Sequence, residues 1–446
     1  MSHPDVSFIH PLYKQHEKQI RFVQAVNSGI DTVRPMLTQK KNEYTTDFDN
    51  RVANSTLENF VDEIITTVSG ELMRKPLTFK GTPTTTVKEL KTVSGHDTID
   101  QFAKLLSRKA LRDGKAFILA DLPKEGGKAS LNIIERLQLI NWKKTSDGIY
   151  TMVVISEMYE VEDGEFGIDY KEQLRQILEN GDVRIWRQSS ENNKNVWYIH
   201  EEINTSYNFV PFYEVDLGEI PPMYNLATIN FRHFNLDSLK NDYLVEALDP
   251  VLAFIGAGSG EDDVDGVGDE PSDSKVVLGV RSSFWLDDTE ADVKWVEMSG
   301  ANHEIAQKEL EYLKTAITKA FLKLQAEGLQ SKTATQTASE QKQSESFNSD
   351  VAETLEVALN SALNGLYAIQ NKTFVGEVIV NRDVTANASG NDAIGIKTIY
   401  MSGLISHETA LKALNKSEIT DIEDISEEIR QAEVEGMGRE DEEVVE

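Results

Sequence analysis

The chain has 446 residues, enough for two or three domains with sizeable cores, and it contains no cysteine, which excludes disulfides and thiolate metal sites. Its 75 acidic and 45 basic residues give a formal net charge of -30, which argues against a protein whose whole surface binds nucleic acid. No apolar run approaches the roughly 20 residues that span a bilayer, and the first residues lack a signal-peptide core, so we expect a soluble protein made in the cytoplasm.

Three amphipathic helices are predicted in the first 113 residues. Apolar residues recur at helical spacing over about 10–37, 51–73 and 97–113. The sequence Arg74-Lys75-Pro76 favours a helix end near residue 73, and Asp113-Gly114 favours the end of the third helix.

An antiparallel β-rich region is predicted from about 115 to 216. Short segments rich in β-branched and aromatic residues alternate there with turns such as Asp147-Gly148 and Asp163-Gly164. The predicted strands are Ala116–Ala120, Leu131–Trp142, Tyr150–Val161, Val183–Gln188, Val196–His200 and Phe209–Val215. We expect a short helix at Leu174–Leu178, before the turn at Gly181-Asp182.

A return to helix is predicted after Pro221-Pro222. Apolar residues at helical spacing predict a helix over Leu226–Ile255, with a break or kink at Asp249-Pro250. A loop rich in glycine and aspartate follows over 256–273. Three short strands are then predicted at Lys275–Val280, Ser283–Leu286 and Val293–Val296.

Two helices around a polar break are predicted over 299–371. The first helix should bury one apolar face. The residues of this face are Ile305, Ala306, Leu310, Leu313, Ile317, Ala320, Phe321 and Leu324. The second helix, from about Thr335 to Gln370, is polar over 335–346 and apolar afterwards. We interpret it as passing from a wet environment into a packed one, with these apolar residues in the core: Val351, Leu355, Val357, Ala358, Leu359, Ala362, Leu363, Leu366 and Tyr367.

The end of the chain is predicted to be small and acidic. A strand is expected at Phe374–Val380, and a helical hairpin at Ile399–Leu414 around Gly403. The last 29 residues hold thirteen acids and two arginines, which predicts a solvated tail.

Catalytic and metal-binding patterns are weak in this sequence. No phosphate-binding loop is present, and the eight histidines show no ligand spacing. The loop 261–272 resembles a calcium loop, but Ser272 replaces the bidentate glutamate, so a simple acidic loop is the better interpretation. Asp287-Asp288 and Asp292 lack a nearby nucleophile, which favours a surface turn. Lys323 and Lys332 are equally consistent with phosphate contacts and with two solvated lysines.

The order of these elements resembles the portal (head-tail connector) proteins of tailed bacteriophages. Local sequences spread over nearly the whole chain carry this resemblance by their order. They are His10-Pro11-Leu12-Tyr13, Asn54-Ser55-Thr56 to Val68 followed by Arg74-Lys75-Pro76, Ile220-Pro221-Pro222 with Leu226-Ala227 and Asn230-Phe231, Trp295 to Gly300, Lys332-Thr333-Ala334-Thr335, and Leu404 to Ala410.

The resemblance implies an α+β fold: a portal-type subunit with an α/β wing, a two-helix stem, a small β-containing clip, a long kinked wing helix and a short C-terminal helical crown. The implied segments are a wing over 1–233, stem helix 1 over 234–256, a clip over 257–298, stem helix 2 over 299–324, a tunnel loop over 325–335, the long wing helix over 336–371, and a crown with the acidic tail over 372–446.

The resemblance also implies two sets of site residues. The tunnel loop would contact DNA in the central channel through Lys323, Gln325, Gln330, Lys332, Thr333 and Thr335. The clip would bind partners through Glu261, Asp262, Asp263, Asp265, Asp269, Glu270, Trp285, Asp287 and Asp288.

The implied function is that of a non-enzymatic ring, usually of twelve subunits, at one capsid vertex. Double-stranded DNA would pass through it non-specifically during packaging and ejection. The implied partners are the terminase large subunit, then a head-tail adaptor, the major capsid protein, and scaffold protein as a further candidate, with no membrane, metal or cofactor. The protein would reside in the virion after assembly in the host cytoplasm.

Channel chemistry agrees with this composition, because an acidic lumen repels phosphate while short polar residues and an isolated lysine attract it only transiently. Two rival interpretations stay open. One is another virion ring or adaptor protein, and the other is a metal-dependent enzyme using the acidic loop at 261–273.

Overall fold

The computed structural model describes residues 5–90, 98–122, 128–164, 166–191, 194–247, 251–255, 292–296, 301–324, 334–382, 390–416, 420 and 425–431. The protein is a mixed α+β chain that divides into two compact units. Unit 1 comprises Met1–Gly29, Asn59–Asn230 and Ala316–Glu446, and unit 2 comprises Ile30–Glu58 and Phe231–Thr315. No described helix is both long and apolar enough to cross a membrane.

Helices dominate the first 113 residues. They are α1 (Pro11–Ser28), α2 (Ile30–Val33), α3 (Thr45–Asn54), α4 (Phe60–Leu72), α5 (Thr84–Glu89) and α6 (Ile99–Asp113), with strand β1 (Thr78–Lys80) before α5. The helix predicted over 10–37 is interrupted at Gly29, whose φ of 103° lies in the left-handed region. The prediction of a helix over 97–113 is confirmed by α6, which starts with a Thr98/Gln101 capping box and ends at left-handed Gly114.

The prediction of one helix over 51–73 is wrong, because two local caps divide this segment. Ser55 follows α3 in an extended conformation, and its hydroxyl donates to the Val52 carbonyl at 2.7 Å. The Asn59 side chain accepts a hydrogen bond from the Asp62 amide at 3.1 Å and so starts α4. Short polar side chains that bond to nearby backbone groups stabilise a turn in place of a continuous helix.

The predicted β-rich region is confirmed as two antiparallel sheets. Its strands are β2 (Lys115–Asp121), β3 (Ser130–Glu135), β4 (Leu139–Lys144), β5 (Tyr150–Asp163), β6 (Gly167–Leu178), β7 (Val183–Glu191), β8 (Lys194–Ile203) and β9 (Phe212–Asp216). The smaller sheet has the order β3-β2-β9 and the larger β4-β5-β6-β7-β8. The strand predicted over 131–142 is divided by a 3-10 turn at Arg136–Gln138, which sends β3 and β4 into different sheets.

The prediction of a helix at Leu174–Leu178 is wrong, because these residues belong to β6. Leu174 and Ile177 lie on opposite faces of the strand, yet both are buried. Leu174 packs with Ile140 and Val154 on one face, whereas Ile177 joins the core between the two sheets on the other. A strand covered on both faces loses the alternation that distinguishes it from a helix.

Aromatic residues fill the core between the two sheets of unit 1. Phe117 of β2 stacks on Phe212 of β9 with ring centroids 5.0 Å apart, and Tyr150 of β5 meets Phe212 edge to face at 5.1 Å. Val153, Ile155, Ile177, Val183 and Ile185 belong to the same buried cluster. Such aromatic geometry adds to the free energy gained from apolar burial.

Long helices follow the sheets. The elements are α7 (Tyr224–Ala247), β10 (Val251–Ile255), β11 (Asp292–Val296), α8 (Ala301–Leu324), α9 (Ala334–Ala368), β12 (Glu377–Ile379), α10 (Gly390–Met401), α11 (His407–Lys416) and a last helix over 425–431. The strand predicted at Val293–Val296 is confirmed by β11. The strands predicted at 275–280 and 283–286, and most of the acidic tail, lie outside the described residues.

The predicted helix over 226–255, and with it a stem helix over 234–256, is wrong at its C-terminal end. Helix α7 ends at Ala247, and Val251–Ile255 form strand β10, which pairs antiparallel with β11. Pro250 disfavours helical conformation at the residue before it and offers no amide hydrogen. The run Val-Leu-Ala-Phe-Ile that follows also favours a strand.

The second half of α9 packs into unit 1, as predicted. All of its predicted core residues are buried except Val357, which is exposed. Asn360 joins the helix to β12, since its side-chain amide donates to the Val378 carbonyl at 2.7 Å and its oxygen accepts from the Val378 amide at 2.9 Å. The side chains of the polar half, 335–346, lie outside the described set.

The contact between β9 and α9 depends on a glycine. A methyl group at Gly365 would overlap the hydroxyl and ring of Tyr213, whose pKa burial raises to about 12. We predict that Gly365→Ala lowers the free energy of unfolding by about 1–3 kcal/mol in urea titrations, because overpacking outweighs the helical preference for alanine.

The matched control is Gly70→Ala, in the last turn of α4, where an added methyl group meets nothing within 4 Å. It should raise the free energy of unfolding by about 0.5–1 kcal/mol. Equal stabilisation by both substitutions would contradict the packing of Tyr213 on α9.

Candidate functional site

Unit 2 is built around a buried ion pair. The Arg51 guanidinium donates to both carboxylate oxygens of Glu43, at 2.7 and 3.0 Å, and both side chains are almost fully buried. Further donations reach the Thr38 carbonyl at 3.0 Å and the Ser238 hydroxyl at 3.1 Å. One arginine therefore ties α3 both to the segment before it and to α7.

Helix α7 presents a second face to a groove. Its side of this groove is formed by Arg232, Asn235, Leu236 and Leu239, and the side from α8 by Ile305, Lys308, Glu309 and Tyr312. The space between them is open and measures about 760 Å³. Arg232 and Glu309 join across it in an ion pair of 2.7 Å.

Helix α8 carries two apolar stripes. Leu310, Leu313 and Ile317 are 3%, 2% and 3% exposed, and they form the buried stripe. Ile305 and Tyr312 lie seven residues apart, hence on one side of the helix, and are 67% and 61% exposed. At 100° per residue, the two stripes lie about a third of a turn from each other.

The prediction that Ile305 belongs to the buried face is therefore wrong, and Tyr312 was not predicted as part of any site. Single exposed apolar residues are ordinary, but these two adjoin half-buried Leu236 and Leu239 in one groove. The sequence offers only their spacing of seven residues as a signal, because the positions between them on that side of the helix, Lys308 and Glu309, are charged. This groove is the candidate functional site of unit 2.

A cavity in unit 1 is the second candidate, of about 170 Å³ beside Tyr150. Its charges neutralise one another: Lys144 bonds both oxygens of Glu214 at 2.8 Å, and Arg136 reaches Glu219 at 2.9 Å. The Tyr150 hydroxyl donates to Glu214 at 2.6 Å, and burial raises the pKa of this tyrosine. Each of these groups is engaged in a structural network, with no nucleophile poised beside a base.

The site residues predicted from the sequence fall mainly outside the described part. This holds for all nine clip residues and, in the tunnel loop, for Gln325, Gln330, Lys332 and Thr333. Lys323 lies in the last turn of α8 and Thr335 in the first turn of α9, and only their backbone is described. The described residues contain no group of three or more His, Asp and Glu that could hold a metal, and the loop 261–273 is not among them.

Comparison with known proteins gives one family match and several structural likenesses. A family model described as a domain of unknown function, DUF4055, matches residues 222–368, from α7 to the end of α9. No curated protein matches the chain.

Chains from gene transfer agent (GTA) particles are similar to this one. A chain in the neck of an empty particle, computed with C6 symmetry, has 13% identity and a TM-score of 0.44, covering 80% of this chain and 89% of that one. A chain in the native virion has 13% identity, a TM-score of 0.42 and the same coverages. A chain in the neck of the native particle, computed with C12 symmetry, has 14% identity and a TM-score of 0.37, covering 78% and 88%.

The buried ion pair makes the stability of unit 2 depend on pH. The hydrogen bonds from Arg51 hold the pKa of Glu43 below its ordinary value, against the opposite effect of burial. Because the pKa is lower in the folded state, the pair stabilises above the unfolded-state pKa of about 4.3 and loses this effect as pH falls through the folded-state value.

We predict that Glu43→Gln lowers the stability of unit 2 by about 3 kcal/mol at pH 7, because it leaves Arg51 buried without a counter-ion. Hydrogen exchange of the α3 amides measures this local opening. The difference from the natural protein should shrink as pH is lowered from about 4.3. Glu408→Gln, in an exposed pair with Lys412, is the control and should leave α3 exchange unchanged. A pH-independent difference at Glu43 would contradict the assignment.

Proposed function

We propose that this chain is the subunit of a portal-type ring, a homo-oligomer at one capsid vertex through whose central channel double-stranded DNA passes. The observation that carries the proposal is the second apolar stripe of α8, exposed beside the α7–α8 groove. A ring closed by heterologous contacts supplies every copy with a neighbour for such a surface. The order of helices, sheets and long helices in the chain supports the same proposal.

The segment between α7 and α8 supports the assignment of a clip. Both helices are 24 residues long, and the pairing of β10 with β11 brings residues 255 and 292 side by side. The two-stranded ribbon β10–β11 thus stands between α7 and α8 where the sequence resemblance implies a clip. In the proposed ring, its acidic residues and Trp285 bind the terminase large subunit and later a head-tail adaptor, while unit 1 contacts the major capsid protein.

The connection between α8 and α9 supports the assignment of a channel segment. Helix α8 ends at Leu324 and α9 begins at Ala334, so a short polar stretch joins two long helices. The sequence places one lysine at the end of α8, Lys323, and one within the connection, Lys332, in a chain with a net charge of -30. Contacts of this kind hold phosphates weakly and without sequence preference, which suits DNA that must slide. No chemical step is assigned to the protein.

The two rival functions would give different experimental results from those of a portal. A metal-dependent enzyme acting through 261–273 requires a tight site for magnesium or calcium, and calorimetric titration should then give a stoichiometric heat, which a portal does not require. Another virion ring or adaptor protein would also assemble, but the loss of its channel segment should not stop DNA packaging.

Substitutions in the α7–α8 groove should weaken ring assembly. We expect the double substitution of Ile305→Asp and Tyr312→Asp to raise the concentration for half-maximal assembly by roughly 100-fold in mass photometry, since two apolar side chains lose their burial at each contact. The subunit itself should stay folded, because both positions are exposed. Gln307→Asp, on another face of α8, is the control and should assemble normally. Normal rings from the double variant would contradict the proposed interface.

Deletion within the proposed channel segment should impair DNA packaging and not ring assembly. Deletion of 327–333 should leave ring assembly intact and strongly reduce the amount of DNA packaged into capsids. Measurement of both quantities on the same preparation separates the two roles. Rings that fail to form after this deletion would show that the segment belongs to the assembly contacts and not to the channel.

A further inference from the structure

The β5–β6 hairpin extends beyond the sheet to which it belongs. The two strands pair continuously from Met152↔Leu178 to Asp163↔Gly167. Strand β4, however, accompanies β5 only as far as Ile155, and β7 accompanies β6 only from Gln173 onward. In the described chain, 156–163 and 167–172 therefore form a two-stranded ribbon, here called the outer ribbon, with no further strand on either edge.

The outer ribbon exposes large apolar side chains. Met158, Ile168 and Tyr170 are 62%, 63% and 56% exposed, and Phe166 at its tip is 93% exposed. The register Met158↔Glu172, Glu160↔Tyr170 and Glu162↔Ile168 places the first three on one face. An isolated two-stranded ribbon is marginally stable in water, and unprotected edges with apolar residues favour association. This face is therefore suited to association with another surface.

The negative charge of the outer ribbon limits the kind of surface that could bind it. Residues 156–172 contain seven acids and one lysine. Some of these acids are held within the ribbon, since Tyr170 donates to Glu160 at 3.1 Å and Ser156 to Glu172 at 2.7 Å, yet they stay exposed to solvent. A surface on which apolar and acidic side chains alternate between the two strands fits a partner with exposed cations beside apolar groups.

Unit 1 itself carries such a surface. Residues 74–91 contain five bases and one acid, in a chain with 30 excess negative charges. Lys80 and Lys88 are exposed, and neither forms an ion pair with an acid of the described chain, although Glu377 faces Lys80 in the strand register. Lys128 adds a cation at the end of α5 by donating to the Glu89 carbonyl at 3.2 Å. Exposed Val375 lies near Lys80, because it precedes Gly376, which packs on Thr82, and Glu377, which pairs with Lys80 in the strand register.

A second basic stretch, 103–115, is neutralised within the subunit except for exposed Lys104. Arg108 pairs with Asp62, Lys109 and Arg112 with Glu135, and Lys115 with Asp216 and Glu219. It offers few cations to a partner. The segment around β1 and α5 is thus the better match for the acidic ribbon.

We propose that the outer ribbon of one copy docks on the β1–α5 surface of the next copy, around Lys80, Lys88 and Val375. The two surfaces differ, so the contact is heterologous and repeats around a closed ring. This inference rests on the proposed ring and adds to it a second contact, made by unit 1 and independent of the α7–α8 groove.

Cysteine cross-linking tests the contact directly, because the chain has no cysteine of its own. In the double variant with Ile168→Cys and Lys88→Cys, a short bismaleimide should link assembled copies into a ladder of covalent oligomers. Either single variant should give no ladder. The control with Ile168→Cys and Lys412→Cys, which places the second thiol on exposed α11, should give none either.

Charge exchange provides the second test. Lys80→Glu with Lys88→Glu should raise the concentration for half-maximal assembly at least about tenfold, and Glu160→Lys with Glu162→Lys should do the same. All four substitutions together should restore assembly to within about threefold of the natural protein, with the effect shrinking in high salt.

The outcomes separate this contact from the ring itself. A ladder together with charge rescue supports the docking. Rings without a ladder, or unaffected by the charge variants, overturn the docking and leave the portal proposal standing. Failure of the natural protein to form any ring overturns both.

Discussion

The organisation of this protein depends on a helix with two apolar faces, of which the subunit buries only one. Leu310, Leu313 and Ile317 of α8 are buried, whereas Ile305 and Tyr312 face solvent across a groove from α7. The hydrophobic effect gives each exposed side chain a free-energy gain of about 1.5–3 kcal/mol when another surface covers it. An assembly repeated around an axis supplies this cover to every copy, and so connects the packing of one helix to the proposed function.

Electrostatics acts against this association and shapes where it can occur. Each copy carries a net charge of -30, so neighbouring copies repel one another over most of their surface. Contacts must therefore be apolar, as in the α7–α8 groove, or locally of opposite charge, as between the outer ribbon and the β1–α5 surface. The same negative charge would keep DNA from adhering to a channel wall, so one property of the composition serves both assembly and passage.

The sequence predicts elements well where one rule acts alone. The strands of the β-rich region follow from alternation and turns, and α6 follows from its periodicity and its terminal glycine. Prediction fails where two rules compete. Leu174 and Ile177 imitate helical spacing because both faces of their strand are covered, and the caps at Ser55 and Asn59 outweigh the periodicity of 51–73.

The candidate site was predicted only in part, for a similar reason. Periodicity identifies apolar positions such as Ile305, but not the surface that covers them, which a single chain does not contain. The ends of α8 and α9 agree closely with the predicted break between them, whereas the C-terminal end of α7 depends on Pro250 and on pairing with a strand some forty residues away. Local sequence does not encode that pairing.

Negative-stain imaging of the purified protein, at concentrations spanning assembly, tests the central claim most directly. The account predicts annular particles with a central opening and a fixed number of equivalent subunits. Compact single subunits or open dimers at every concentration would contradict it, because the exposed face of α8 would then have no repeated partner.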